Sequence, residues 1–159
     1  MNAKSALKGI GCILLGVAIF AASILICGLF IHGAAWVSSK LLPFFSVLTW
    51  IVLALDIFIF LPLAIPRTTR GVSSIALLIS SYVFGATLWM EGFILTLILW
   101  GTLAVIIGLF IAGVGIVPIA ILATLMKGMW GPFIELGLLV ILTFGSRAGA
   151  LALASGVED

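Results

Sequence analysis

Charge is what this chain has least of. Only 8% of its 159 residues are Asp, Glu, Lys or Arg, against about a quarter in a soluble globular domain. Glutamine is absent, and asparagine and histidine occur once each, as Asn2 and His32. No His/Cys/Asp/Glu group has metal-ligand spacing, no Ser or Cys has a base partner in view, and no glycine-rich loop joins a strand to a helix. Neither a metal nor another cofactor is therefore expected, and no catalytic residue is assigned. Long polar stretches are missing too. The intervals 32–40 and 67–70 are long enough only for connections, which excludes an ATPase, a nucleotide-binding module or a nucleic-acid reader. The two cysteines, Cys12 and Cys27, would lie about 22 Å apart on one helix, beyond disulfide reach. They read as small apolar residues at a helix interface.

What the chain does have is hydrocarbon. Hydrophobic residues make up 65% of it, and its mean hydropathy is +1.51. Between Arg70 and Lys127 the only formal charge is Glu91. Apolar runs of about 20 residues or more predict membrane-spanning helices, not the short alternating strands of an outer-membrane barrel. The expected fold is all-α: one polytopic transmembrane domain over 1–159 and no soluble domain. It would have about five transmembrane helices, with a broken helix around Gly113, Gly115 and Pro118. Four crossings plus a re-entrant or interfacial segment is the alternative.

The first crossing is expected over about 9–31, after a short basic stretch with Lys4 and Lys8. It is longer than the apolar core of a signal peptide, so an uncleaved helix is favoured. Cys12, Gly16, Ser23 and Cys27 recur on it at helical spacing. A loop over 32–40 leads to Pro43, which suits a first helical turn, and the second crossing runs to about Ala64. The third starts at Gly71 and ends at Glu91 and Gly92, where a turn is expected. The fourth starts near Phe93 and carries Gly101, Ala104, Gly108, Ala112 and Gly115 at steps of three and four. In lipid such a stripe lets backbones approach closely, so it is expected to face another helix. Continued to Lys127 that helix would be about 52 Å long, too long for the core, which places the break at 113–118. The last crossing runs from about Phe133 to Ala154.

Few residues are able to carry chemistry. Asp56 lies about 16 Å along a helix from Arg67, near the middle of a core about 30 Å thick. Intramembrane acids act as cation sites or proton relays, or else hydrogen-bond neighbouring helices and hold them in register. Ser73, Ser80, Thr87 and Glu91 share one face of the third helix, at steps of seven, seven and four. Arg147 is expected in the outer half, within reach of Glu91, and Glu135 near Lys127 across a turn.

With the N-terminus cytoplasmic, Lys4, Lys8, Arg67, Arg70 and Lys127 fall inside and Lys40 and Arg147 outside, which the positive-inside rule favours. A bacterial cytoplasmic membrane is the expected location. Two functions from different classes fit. One is an assembly or accessory protein, docking by its small-residue faces on copies of itself or on a larger membrane partner. The other is an oligomeric channel or transporter for ions or small solutes, using Asp56 and the polar face of the third helix. An intramembrane or lipid-modifying enzyme would need several convergent polar groups, which this composition does not supply. The lipid bilayer is the one partner common to all three.

Overall fold

The structure, a computed structural model, describes residues 3–111 and 113–155, with the side chains of 3–10, Cys12 and Arg67 left aside. Lys4, Lys8, the Cys12 side chain, Ala112 and the terminal acids Glu158 and Asp159 therefore lie outside what is described. Every regular element is helical: α1 (Ala3–Leu55), a π-helical turn (Asp56–Phe60), α2 (Leu61–Leu63), a 3₁₀ turn (Arg67–Thr69), α3 (Arg70–Phe110), α4 (Ile116–Met126) and α5 (Trp130–Ser155). Three stretches, Ile13–Leu63, Arg70–Phe110 and Trp130–Ser155, are long and apolar enough to cross a membrane. Among the described residues four α-helices longer than one turn, α1, α3, α4 and α5, stand where five crossings were expected.

The chain divides into two compact units, Met1–Trp36 and Val37–Asp159. In the first unit, large apolar side chains are exposed around the helix, among them Ile13, Leu14, Phe20 and Leu29. A helix apolar all round is suited to hydrocarbon. At Gly16, on the small-residue face expected there, a Cβ would stand in open space.

The 32–40 interval is helical rather than a loop. It contains one glycine and no proline, and a lone glycine costs a helix only about 1 kcal/mol. Pro43 accordingly lies inside α1 and does not open a second helix.

In the second unit α3 is the central element. Its residues Ser73, Leu77, Ser80, Phe84 and Thr87, at steps of four and three, are buried. Two of them hydrogen-bond back to the α1 segment: Thr49 meets Thr87 at 2.9 Å, and Ser80 donates to Asp56 at 2.7 Å. Both pairs are separated by seven residues on each helix and run in opposite directions, the register of antiparallel left-handed packing. On α5, Ala150 accepts from Ser74 at 2.7 Å, and a Cβ on Gly85 would stand 3.5 Å from the Thr143 methyl. These contacts make α5 antiparallel to α3 as well. Leu88, Ala120, Leu136 and Leu139 close a core between α3, α4 and α5.

The turn expected at Glu91 and Gly92 does not occur, because α3 runs through it to Phe110. Gly92 serves a different purpose: a Cβ there would stand 3.6 Å from Ala120 and Val117, so its missing side chain admits α4. The change of direction comes at Gly101, with φ 78° and ψ −172°, a conformation open only to glycine at little cost. Gly101 is thus a kink, not a member of the packing stripe.

The rest of that stripe turns inward. Ala104 and Gly108 are buried, and a Cβ on Gly108 would stand 3.0–3.2 Å from Ile116. The stripe therefore packs against the start of α4 in the same chain. Between Phe110 and Ile116 the helix is broken. Gly113 has φ 70°, Gly115 presses on Ile111 and Gly108 with no room for a Cβ, and Pro118 falls in the first turn of α4, where its missing amide would have no partner.

Candidate functional site

Asp56 is 5% exposed and opens the π-helical turn, with the Leu61 amide bonded to its carbonyl oxygen, five residues back. The local sequence explains this widening. Pro62 lacks an amide, and its ring would crowd the carbonyl four residues earlier; an extra residue in the turn moves that carbonyl away. The consequence is a carboxylate carried on a wide turn that faces α3. Its Oδ1 accepts from Ser80 Oγ at 2.7 Å, while Ser80 Oγ also lies 3.1 Å from the Ala76 carbonyl. One hydroxyl hydrogen thus serves two acceptors.

Two helical turns along, Thr87 Oγ1 lies 2.9 Å from both Thr49 Oγ1 and the Val83 carbonyl. Thr87 donates to Val83, so Thr49 donates to Thr87. Thr49 and Thr87 also line a cavity of about 50 Å³, together with Ser46 and Glu135. A water needs about 10–15 Å³ of such volume, so the cavity has room for water beside these hydroxyls, although Trp50, Leu53, Leu138, Leu139 and Leu142 form the rest of its wall. One turn beyond Thr87 is Glu91, half-buried and within the electrostatic reach of Glu135.

Of the polar face expected on the third helix, Ser80 is joined to Asp56 and Thr87 to Thr49, Ser73 is buried without a hydrogen-bond partner, and Glu91 is half-buried. Along α3, Ser73, Ser80, Thr87 and Glu91 lie about 4, 15, 26 and 32 Å from Arg70. The seam therefore spans the thickness of a bilayer core, with the buried apolar side chains Leu77 and Phe84 lying between its polar groups.

The expected ion pairs are not formed. Arg147 stacks over the Tyr82 ring, 5.3 Å from its centre, because the antiparallel α5 brings its C-terminal part to the Arg70 end and not to Glu91. The same register carries Glu135 to Glu91 and away from a pairing with Lys127, which is exposed. Sequence reasoning missed Thr49 and the approach of Glu135. Thr49 was detectable, since it precedes Asp56 by seven residues and shares its face.

At the break a larger cavity, about 490 Å³, lies between α3, residues 113–118 and α5. It is apolar, and its polar groups are already paired: Trp89 Nε1 donates to the Gly113 carbonyl at 3.2 Å and Thr143 to Leu139 at 2.7 Å. Among the described residues the break therefore lends no unpaired buried side-chain polar group to the seam. Among the described residues no group of three His, Cys, Asp or Glu is placed to hold a metal.

Fold and site together define a helical protein with three helices long and apolar enough to cross a membrane and an acid buried in its helix packing. Comparison with known proteins finds no matching family model, no similar curated protein and no similar solved structure.

Proposed function

We propose that the seam between α1, α3 and α5 is a hydrated path for protons or small cations, with Asp56 as its central relay and Glu91 and Glu135 at its mouth. The observation that carries this reading is the Asp56 carboxylate, 5% exposed and bonded to Ser80 at 2.7 Å. Magnitudes argue against a purely structural role. An aspartate at a helix centre costs about 2.5–3.5 kcal/mol to insert, whereas an interhelical hydrogen bond in lipid returns about 0.6 and at most about 1.7 kcal/mol. One hydroxyl partner does not offset the insertion. A proton or cation that Asp56 takes up does.

The topology that goes with this path has three crossings in the second unit, and the end of α3 and α4 forms a hairpin that enters and leaves on one side. Arg67, Arg70 and Arg147 then share one end, and Lys40 and Lys127 the other, which favours a cytoplasmic arginine end. A chain this small encloses little, so a homo-oligomer completes the conduit.

The test is flux in liposomes of the purified chain under an imposed proton or sodium gradient, read with a pH-sensitive or sodium-sensitive dye. Asp56→Asn keeps the volume and the hydrogen bond to Ser80 but removes the exchangeable charge. Flux is expected to fall to the level of protein-free vesicles. Unchanged flux in the variant, or none in the wild type, would sink the reading.

The accessory reading rests on a different observation: the apolar first unit, with Leu14, Phe20 and Leu29 exposed. It has lost the support of the stripe at Ala104, Gly108 and Gly115, which packs within the chain. A second protein in the native particle, seen by mass, is what that reading requires.

A further inference from the structure

The turn that leads into α3 lies apart from the acids of the seam. Thr69 stands at the N-cap of α3 but does not cap it. Its hydroxyl lies instead 2.6 Å from the Leu63 carbonyl and 3.2 Å from that of Pro66. The first turn of this 41-residue helix thus keeps its partial positive charge without a side-chain acceptor. Among the described residues, the buried side-chain atoms left without a hydrogen-bond partner are Arg70 Nε and Ser73 Oγ, and both are in this turn.

They are three residues apart on one helix face. Helical Cα–Cβ bonds tilt toward the N-terminus, so the Ser73 side chain, 0% exposed, leans toward the Arg70 turn. An unpaired guanidinium donor and an unpaired hydroxyl at a helix N-terminus ask for the same thing, an anionic oxygen. The depth of the turn narrows the source. Glu91 lies about 32 Å along α3 from Arg70, close to the thickness of a hydrocarbon core, so the Arg70 turn is level with phospholipid headgroups.

We propose that the Arg70–Ser73 turn of α3 binds the phosphate of an anionic phospholipid in the leaflet at that end. The guanidinium fork matches phosphate oxygens, and the helix N-terminus favours their charge. Both orphaned atoms are enclosed, so binding turns the Arg70 side chain outward and brings its Nε–H, and then the Ser73 hydroxyl, to the lipid. Free phosphate offers the same oxygens, but it does not reside at this depth. The proposal does not rest on the conducting role of the seam.

The experiment is native mass spectrometry of the full chain in detergent, titrated separately with phosphatidylglycerol, phosphatidylcholine and inorganic phosphate. Phosphatidylglycerol is expected to be retained over phosphatidylcholine. Arg70→Gln is expected to weaken it by about fivefold, the weight of one basic side chain at an anionic surface. Arg70→Lys should lose less, since the charge stays and only the fork is gone. Ser73→Ala should weaken it by a smaller factor, and Lys127→Gln at the opposite end should not. Equal retention of the two lipids, or an Arg70→Gln chain that melts and binds like the wild type, overturns the site. Displacement of phosphatidylglycerol by inorganic phosphate at equal concentration overturns the lipid as the source. If Arg70→Gln does not fold, Arg70→Lys and Ser73→Ala read the same contrast, and unchanged binding in both overturns the proposal.

Discussion

α3 makes its contacts with opposite materials along its length. Toward α1 it presents hydroxyls and meets a carboxylate; toward α4 it presents glycine and alanine, with a single hydroxyl, that of Thr96, on the Ile116 carbonyl at 3.3 Å. Both solve one problem, because lipid gives helices no hydrophobic reason to associate, and what remains is hydrogen bonding or close packing. The two solutions fail differently. The glycine contact has no room for another atom, with a Gly108 Cβ 3.0 Å from Ile116. The seam instead contains space, a cavity of about 50 Å³ beside Thr49 and Thr87. A contact that excludes everything is a structural joint, and one that leaves polar room is where an ion or water can pass.

The largest expected effect breaks the joint. Gly108→Leu drives a branched side chain against Ile116, whose Cγ1 stands 3.0 Å from the added Cβ and whose backbone N and Cα stand at 3.1 and 3.2 Å. Overpacking of this kind costs about 1–3 kcal/mol and more where backbone is the obstacle. The variant should melt well below the wild type in detergent and lose the hairpin, read as new protease sensitivity between Phe110 and Ile116. A wild-type melting curve would mean that α4 is not seated on Gly108.

How far the sequence foretold all this differs along the chain, and the difference is physical. The break at 113–118 was legible because two glycines and a proline act locally, whatever surrounds them. The last helix, expected over 133–154 and found as Trp130–Ser155, was legible because Pro132 and an apolar run mark it. The 32–40 interval and Gly92 were not. A glycine in an apolar sequence serves equally for a turn, a kink or a close approach, and only the neighbouring helix decides. Gly92 admits α4, Gly101 kinks α3, and nothing in their own sequence separates them. The common face of Ser80 and Thr87 followed from the helical repeat. Their partners Thr49 and Asp56 depend on how the chain before Arg67 packs on α3, and the placing of Arg147 over Tyr82 depends on the direction of α5, which the expected number of crossings had reversed.

A smaller effect sharpens the other side of the comparison. Thr49→Val and Thr87→Val each remove one hydroxyl at nearly constant shape, and the double variant removes both. The coupling between them in a thermodynamic cycle is expected to be about 0.6 kcal/mol, the usual worth of a hydrogen bond between membrane helices. Stability should thus barely register the loss, while the cavity loses two of its polar walls and flux falls in all three variants. A coupling of several kcal/mol would make the pair a structural joint after all, and the seam would no longer differ in kind from the glycine contact.

The smallest effect comes from the substitution that is most damaging at Gly108, made in the first unit. A Cβ at Gly16 meets nothing within 4 Å, so Gly16→Leu adds apolar surface to a helix that already exposes Leu14, Leu15 and Phe20. Replacing a helical glycine by leucine gains about 0.8 kcal/mol of helix propensity, so the melting temperature of the isolated chain should hold or rise slightly. Read beside Gly108→Leu, this isolates the chain's own packing from any packing between chains. If Gly16→Leu left the melting of the monomer alone but lowered the mass of the native particle, the first unit would be a surface where another chain docks, and the accessory reading would gain the support that the stripe on α3 no longer gives it.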